Sequence, residues 1–434
     1  MERLHGAASI LTRPTMIRTQ LFDCFKTKNT KVIFNTILTL NSEYILDFNW
    51  VNDNGCSVLL EACKIVDQNE ALKIVKYALR FGAEMGLFLD LGQESLNQDQ
   101  ETKSDCFEPN KINKMTLWTI QALFKNDHDE ILKYLINFAK DPSTKIYENN
   151  FDLNIIVDPA TNKTLFHSAC SFGAIKCCII LLKHVKTINV NLLLQEDNYG
   201  RNCLHHIAIG NDFSDLINHD ELDLYKIVNW VNPSETDLLD KRKGQLLNFL
   251  LETCPDLIDK QDKINGETVL HYCCRLDKKL LLINLVGWCK KKKYQRTYAY
   301  RTEKTTTKGQ TCINLACTFA SKSAFRILVS NDPDLINTRQ TKNKYTPIHN
   351  LLDGKLRMQT LPNISDSQDH KNRLDLMQEL IDLGADTSKK AGLGQQTALE
   401  MCEGNPSLID FKSILLLNSG EEEVVLYERR AKFL

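Results

Sequence analysis

The sequence contains no run of the 18 or more apolar residues that a membrane-crossing helix needs. Residues 1–20 show no continuous apolar stretch of the kind a secretory signal carries, so the expectation is a cytoplasmic protein, with nuclear entry open. An excess of either charge is also missing: 54 Lys and Arg stand against 55 Asp and Glu, a formal net charge of −1. Whole-molecule electrostatics therefore argues for neither nucleic acid nor an anionic membrane as the main partner, and nucleic acid is the less expected ligand. No Cys-x-x-Cys pair occurs, which removes the commonest zinc-finger and thioredoxin spacings. Phosphate-binding loops, G-x-G-x-x-G, H-E-x-x-H and EF-hand loops are absent as well. Neither a metal nor a cofactor is expected, and the chain does not read as an enzyme.

What is present is 43% hydrophobic and 25% charged, the composition of a folded chain long enough for two or three domains or one repeat array. A single phrase recurs: Gly-x-Thr-x-Leu-His-x-x-Cys, clearest at Gly266–Cys274 and Gly309–Cys317. Further copies open at Gly55, Asn162, Gly200 and Lys344, with weaker ones at Lys114 and Gln395. The first position suits a tight turn with positive φ. Ser57, Thr116, Thr164, Asn202, Thr268, Thr311, Thr346 and Thr397 then occupy a slot fit for a helix N-cap. Two residues on, every copy has an apolar anchor: Leu59, Trp118, Phe166, Leu204, Leu270, Ile313, Ile348 and Leu399.

The phrase resembles the ankyrin repeat, whose signature is Thr-Pro-Leu-His-x-Ala within a 33-residue unit; only Thr346-Pro347-Ile348-His349 keeps the proline. A second apolar stretch of helical character follows each phrase, as at 71–79, 131–138, 279–286 and 374–381. The resemblance implies an all-α ankyrin-repeat solenoid of about nine helix-turn-helix units, since a lone unit cannot bury its apolar face. Residues 1–48 are expected to form capping helices, at 20–27 and 31–40. The array should occupy 49–418, followed by a charged tail at 419–434. The cysteines fit this plan as buried thiols. Cys63, Cys170, Cys274 and Cys317 share one small-residue slot, Cys273 and Cys402 the slot before it, and Cys203 and Cys312 the place of the family proline.

Phrase-to-phrase spacings of 59, 48, 38, 66, 43, 35 and 51 residues exceed the unit length, so insertions are expected near 86–111, 211–243, 289–306 and 353–372. The second is patterned for an extra helix at 220–231. The third, 289–308, holds eight basic residues, one acid and three tyrosines. Its Lys290, Lys291, Lys292, Lys293, Arg296 and Arg301 form a candidate docking or import loop. By resemblance, a partner protein would be gripped by the turn fingers and the inner helices. Candidate contacts are the large or charged finger residues Trp50, Asn52, Asp53, Tyr199, Arg201, Lys263, Glu267, Lys342 and Tyr345. The resemblance further implies that His167, His205, His271 and His349, which share one phrase position, hydrogen-bond within and between turns. The favoured reading is a protein-binding scaffold. The alternatives are a secreted bacterial effector that captures a host protein on the same scaffold, and a cysteine-dependent enzyme assembled from the insertions.

Overall fold

A computed structural model describes residues 2–83, 114–140, 156–158, 161–185, 192–210, 236–291, 306–358, 366–403 and 405–418. The insertion expected at 86–111, the extra helix at 220–231 and the tail at 419–434 lie outside them, as do residues 292–305. The chain divides into two compact units, 1–198 with 210–246, and 199–209 with 247–434. The first holds α1 (Glu2–Lys26), α2 (Thr30–Glu43), α3 (Val58–Cys63), α4 (Gln68–Arg80), α5 (Lys114–Asn126), α6 (Asp129–Lys140), α7 (Leu165–Ser171) and α8 (Ile175–Val185). A small antiparallel hairpin, β1 (Ile156–Asp158) with β2 (Lys163–Thr164), precedes α7. The second holds α9 (Cys203–Ile209), most of the sequence after α10 (Thr236–Thr253), then α11 (Val269–Arg275), α12 (Lys279–Lys290), α13 (Cys312–Thr318), α14 (Lys322–Asn331), α15 (Pro347–Met358), α16 (Asp366–Asp382), α17 (Ala398–Cys402) and α18 (Ile409–Asn418).

Each expected phrase from Asn162 onward opens one short helix, and the apolar stretch after it forms a longer one. The phrase helices stack on one another, α3 on α5 on α7 in the first unit and α9, α11, α13, α15 and α17 in the second. The partner helices form a second layer, with α4, α6 and α8 in one unit and α12 packed on α14 in the other. Between the layers lie the phrase anchors: Leu59, Phe166, Leu204, Leu270, Ile313 and Ile348 are all at most 2% exposed. Burying one such side chain is worth about 1.5–3 kcal/mol. The described cysteines are unbridged thiols, and all but Cys254 are buried. Cys63, Cys170, Cys274 and Cys317 are fully enclosed, as small apolar side chains would be.

Four expectations need correction. Helix α1 begins at Glu2, far ahead of residue 20, and runs through Pro14. Thr116 does not cap a helix, because α5 already starts at Lys114. Among the described residues, 353–372 is helical rather than a loop: α15 continues to Met358 and α16 starts at Asp366. Leu351, Leu352 and Lys355 are buried along the extended α15, which is why its polar composition does not break the helix. The end of the 211–243 insertion is helical as well, since 236–243 is the first part of α10. Arg242 from it donates to the Lys125 carbonyl (3.0 Å), which closes the C-terminal end of α5.

Candidate protein-binding surface

The fingers are built from one backbone rule. The residue that opens the phrase takes a left-handed conformation in seven copies: Gly55 (φ +72°), Asn162 (+58°), Gly200 (+73°), Gly266 (+66°), Gly309 (+77°), Lys344 (+61°) and Gln395 (+50°). Two residues later the capping side chain starts the short helix. Ser57 accepts from the Leu60 amide (3.2 Å) and Thr397 from the Glu400 amide (3.2 Å). Each finger closes on itself by a backbone bond across the turn. Asp262 N–H donates to Glu267 O (2.9 Å), Thr306 to Gln310 (2.9 Å), Gln340 to Tyr345 (2.8 Å) and Ala391 to Gln396 (2.9 Å).

Neighbouring fingers are also tied together. In the first unit Asn198 N–H donates to Thr161 O (2.8 Å). In the second, Lys263 donates to Tyr199 O (2.7 Å), Thr307 to Asn265 O (2.7 Å), Thr341 to Gly309 O (3.1 Å) and Gly392 to Asn343 O (2.7 Å). The tips therefore form a ladder of main-chain bonds rather than independent loops. A surface held this way loses little conformational entropy when something docks on it.

The histidines drive the same ladder from below. The Nδ1 of His205, His271 and His349 accepts the backbone N–H of its own cap residue (3.1, 3.2 and 3.4 Å). That leaves the proton on Nε2, which reaches into the next finger: His205 to Glu267 O (3.0 Å) and His349 to Gln396 O (3.2 Å). In the first unit His167 contacts Gln195 O at 3.2 Å. Each ring is fully buried, and each serves its own turn. They do not converge on one site, so the arrangement is a structural relay. Burial pushes the His349 pKa down, so its ring stays neutral. The Cys273–Cys274 pair beside His271 is likewise enclosed, and burial pushes the Cys274 thiol well up. Such a thiol is a poor nucleophile.

The candidate contact residues divide by position. Asp53, Lys263 and Lys342 are exposed at finger tips, and Tyr199 is 37% exposed. Arg201 and Glu267 are not presented outward: they are 7% and 4% exposed. Arg201 places its guanidinium 4.6 Å from the Tyr199 ring, and Glu267 pairs with Arg275 at 3.1 Å. Asn52 is a turn former, its Oδ1 accepting the amides of Asn54 (3.0 Å) and Cys56 (2.9 Å). Trp50 packs half-buried against the core, and Tyr345 stacks on His349 with centroids 5.7 Å apart. In the basic segment, Lys290 ends α12 and bonds Asn331 (2.5 Å), and Lys291 reaches Glu252 (3.4 Å). Lys292, Lys293, Arg296 and Arg301 lie outside the described residues.

Sequence reasoning passed over two exposed tip residues, Ile264 at 52% and the fully exposed Leu393. Their signal is an apolar side chain between turn formers, in Lys263-Ile264-Asn265 and Gly392-Leu393-Gly394. It also passed over Asp127 and Asp277, which take left-handed φ (+53° and +50°) in the turn between paired helices. Asp127 accepts the Cys177 amide (3.0 Å) at the start of α8, and Asp277 the Ala324 amide (2.8 Å) in the first turn of α14. Each caps a helix of the following repeat.

A family model for ankyrin repeats matches residues 119–219 in three copies. No curated protein matches the chain. Among solved structures, the chain is similar to the ankyrin repeat domain of Bcl-3, described as a unique member of the IkappaB protein family. That match has 13% sequence identity and a TM-score of 0.39, and covers 68% of this chain and 97% of that one.

Proposed function

We propose that this chain, an ankyrin-repeat protein, is a scaffold that recognises a partner protein through its finger tips. Ankyrin repeats generally mediate protein–protein interaction, and the finer assignment to the fingers rests on one observation. The tips carry exposed side chains of interface character, Tyr199, Ile264 and Leu393 among them, on turns locked by finger-to-finger backbone bonds. Pre-ordered turns supply affinity without a folding cost. A cytoplasmic setting belongs to the same proposal, being one in which fifteen cysteines would stay as thiols.

The test uses the full chain beside an Ile264→Asp/Leu393→Asp variant as bait, followed by binding of each captured protein in purified form. Both residues are exposed, so the variant should melt like the parent. At least one partner should bind the variant about tenfold more weakly, the equivalent of about 1.4 kcal/mol. If every purified partner binds both chains equally, the fingers are not the recognition surface.

A further inference from the structure

The near-zero net charge conceals an uneven distribution. In the second unit, the acids of the fingers are turned inward or engaged. Asp262 accepts from the Asn265 amide (2.8 Å) and the Tyr272 hydroxyl (2.7 Å), Glu267 is buried on Arg275, and Asp386 accepts from the Ser388 amide (3.0 Å) and hydroxyl (2.6 Å). The cations point the other way: Lys308, Lys342 and Lys344 are exposed. None of these three has a carboxylate within ion-pair distance among the described residues. On the helices of the same unit some cations are matched: Lys322 lies 2.8 Å from Asp375, and Arg326 pairs with Glu379. In the first unit the exposed tip charges at 47–54 are instead acidic, Asp47 and Asp53.

Two of the unmatched lysines share a recess. An open pocket of about 320 Å³ is lined by Lys308, Gln310, Gln340, Lys342, Asn343 and Asp353. Its floor is fixed, because Gln340 is buried and bonds Asn350, and the two fingers beside it are joined by Thr341 N–H to Gly309 O (3.1 Å). Asp353 in the wall is already engaged in an interaction of its own. Two ammonium groups and the Asn343 amide around a fixed recess suit carboxylates, each being a donor, while the Gln310 and Gln340 amides already donate to Thr318 and Asn350. The lining offers no aromatic ring for a nucleobase to stack on, and the nearby Tyr345 already stacks on His349.

From this we infer that the partner docks on the second unit with an acidic, extended segment of its chain, its carboxylates set against Lys308, Lys342 and Lys344. The inference rests on the scaffold reading above and assigns the chemistry of the bound element. The measurement is fluorescence anisotropy of a labelled Asp/Glu-rich peptide titrated with the full chain, beside a labelled single-stranded RNA of similar length. The peptide should bind, should weaken as salt is raised, and should lose about tenfold or more in affinity in Lys308→Glu/Lys342→Glu. Lys31→Glu, an exposed reversal in the first unit, should change nothing. Lys308→Gln/Lys342→Gln should give a smaller loss in the same direction, and thermal melting checks that each variant is folded. Absence of peptide binding at low salt, or equal binding by the parent and the charge-reversed chain, overturns the inference. Tighter binding of the RNA, lost with the same reversals, overturns it in favour of a nucleic-acid ligand. A purified partner that is lost with Ile264→Asp/Leu393→Asp yet indifferent to Lys308→Glu/Lys342→Glu would leave the scaffold reading standing and remove this one.

Discussion

At residue scale the relay has one defective link. Asn314 occupies the histidine position of its repeat and accepts from Thr311 N–H (3.1 Å) and Oγ1–H (2.8 Å) through Oδ1. Its Nδ2 is buried with no partner, because an amide is shorter than an imidazole and stops short of the next finger. The equivalent acceptor there, Tyr345 O, takes only the Gln340 amide among the backbone donors. Asn314→His should restore the bridge and raise stability by about 1 kcal/mol, read as a higher urea midpoint with an unchanged m-value. A lower midpoint would mean that the slot has closed around the smaller side chain. The intact links make stability depend on pH. Burial holds the His349 pKa below its usual 6.5, so the unfolded chain binds protons first as the pH drops. Its contribution is full above about pH 6.5 and is lost as pH falls toward the folded value. The urea midpoint should therefore drop between about pH 7 and pH 5, less steeply in His349→Asn; equal slopes would assign the acid sensitivity to other groups.

At the scale of elements, the turns between helices carry more than their composition suggests. Asp277 holds the start of α14 through a carboxylate displayed from a left-handed position. Asp277→Gly keeps that backbone conformation but deletes the cap, and should cost about 1 kcal/mol in chemical denaturation; no loss would show that solvent satisfies the Ala324 amide equally well. Gly354 falls within the expected insertion at 353–372, yet it sits inside α15, where a Cβ would lie 2.1 Å from Thr318 O and 2.7 Å from an Arg373 nitrogen. Its role is close approach of α15 to α13. Gly354→Ala should destabilise by about 1–3 kcal/mol, although alanine is ordinarily the better helix former. This explains what the sequence could disclose. The phrase at Gly266 or Gly309 is local, with φ, cap, anchor and histidine all within one turn of chain, so it was legible. The length of α15 depends on which neighbours enclose Lys355 and Arg373, and no local pattern records that. One signal was legible and missed: Pro-Asp-Leu-Ile-Asp/Asn at 255–259 and 333–337 forms a 3-10 turn thirteen residues ahead of the caps Thr268 and Thr346. The related Asn405–Asp410 lies close behind α17 and leads straight into α18, so spacing decides the outcome for similar peptides.

At the scale of the whole molecule, cohesion runs between neighbours, and distant repeats add little to one another's stability. Unfolding should then be probe-dependent. Near-ultraviolet signals from the buried Trp288 in the second unit and far-ultraviolet helix content should give separate midpoints, and Gly354→Ala should move the first more than the second. Coincident transitions in both chains would show one cooperative block. The recognition surface was only partly readable for a related reason: Arg201 and Glu267 look like ideal contacts in sequence, and only the packing of adjacent fingers shows them turned inward. The histidine relay has a consequence for dissection. The rings of His205 and His349 each need a carbonyl that belongs to the following repeat, so the unit that is repeated is not the unit that is self-sufficient. A truncation before Gln396 would strand the Nε2 proton of His349 in the interior, however cleanly it fell between helices. After that point the debt is gone, because Glu400 stands where the histidine would be and satisfies its own cap, taking the Thr397 amide at 2.7 Å. A shortened version of this protein should be cut to finish on a repeat that carries a carboxylate there, and any shorter fragment should have its last histidine replaced by glutamate.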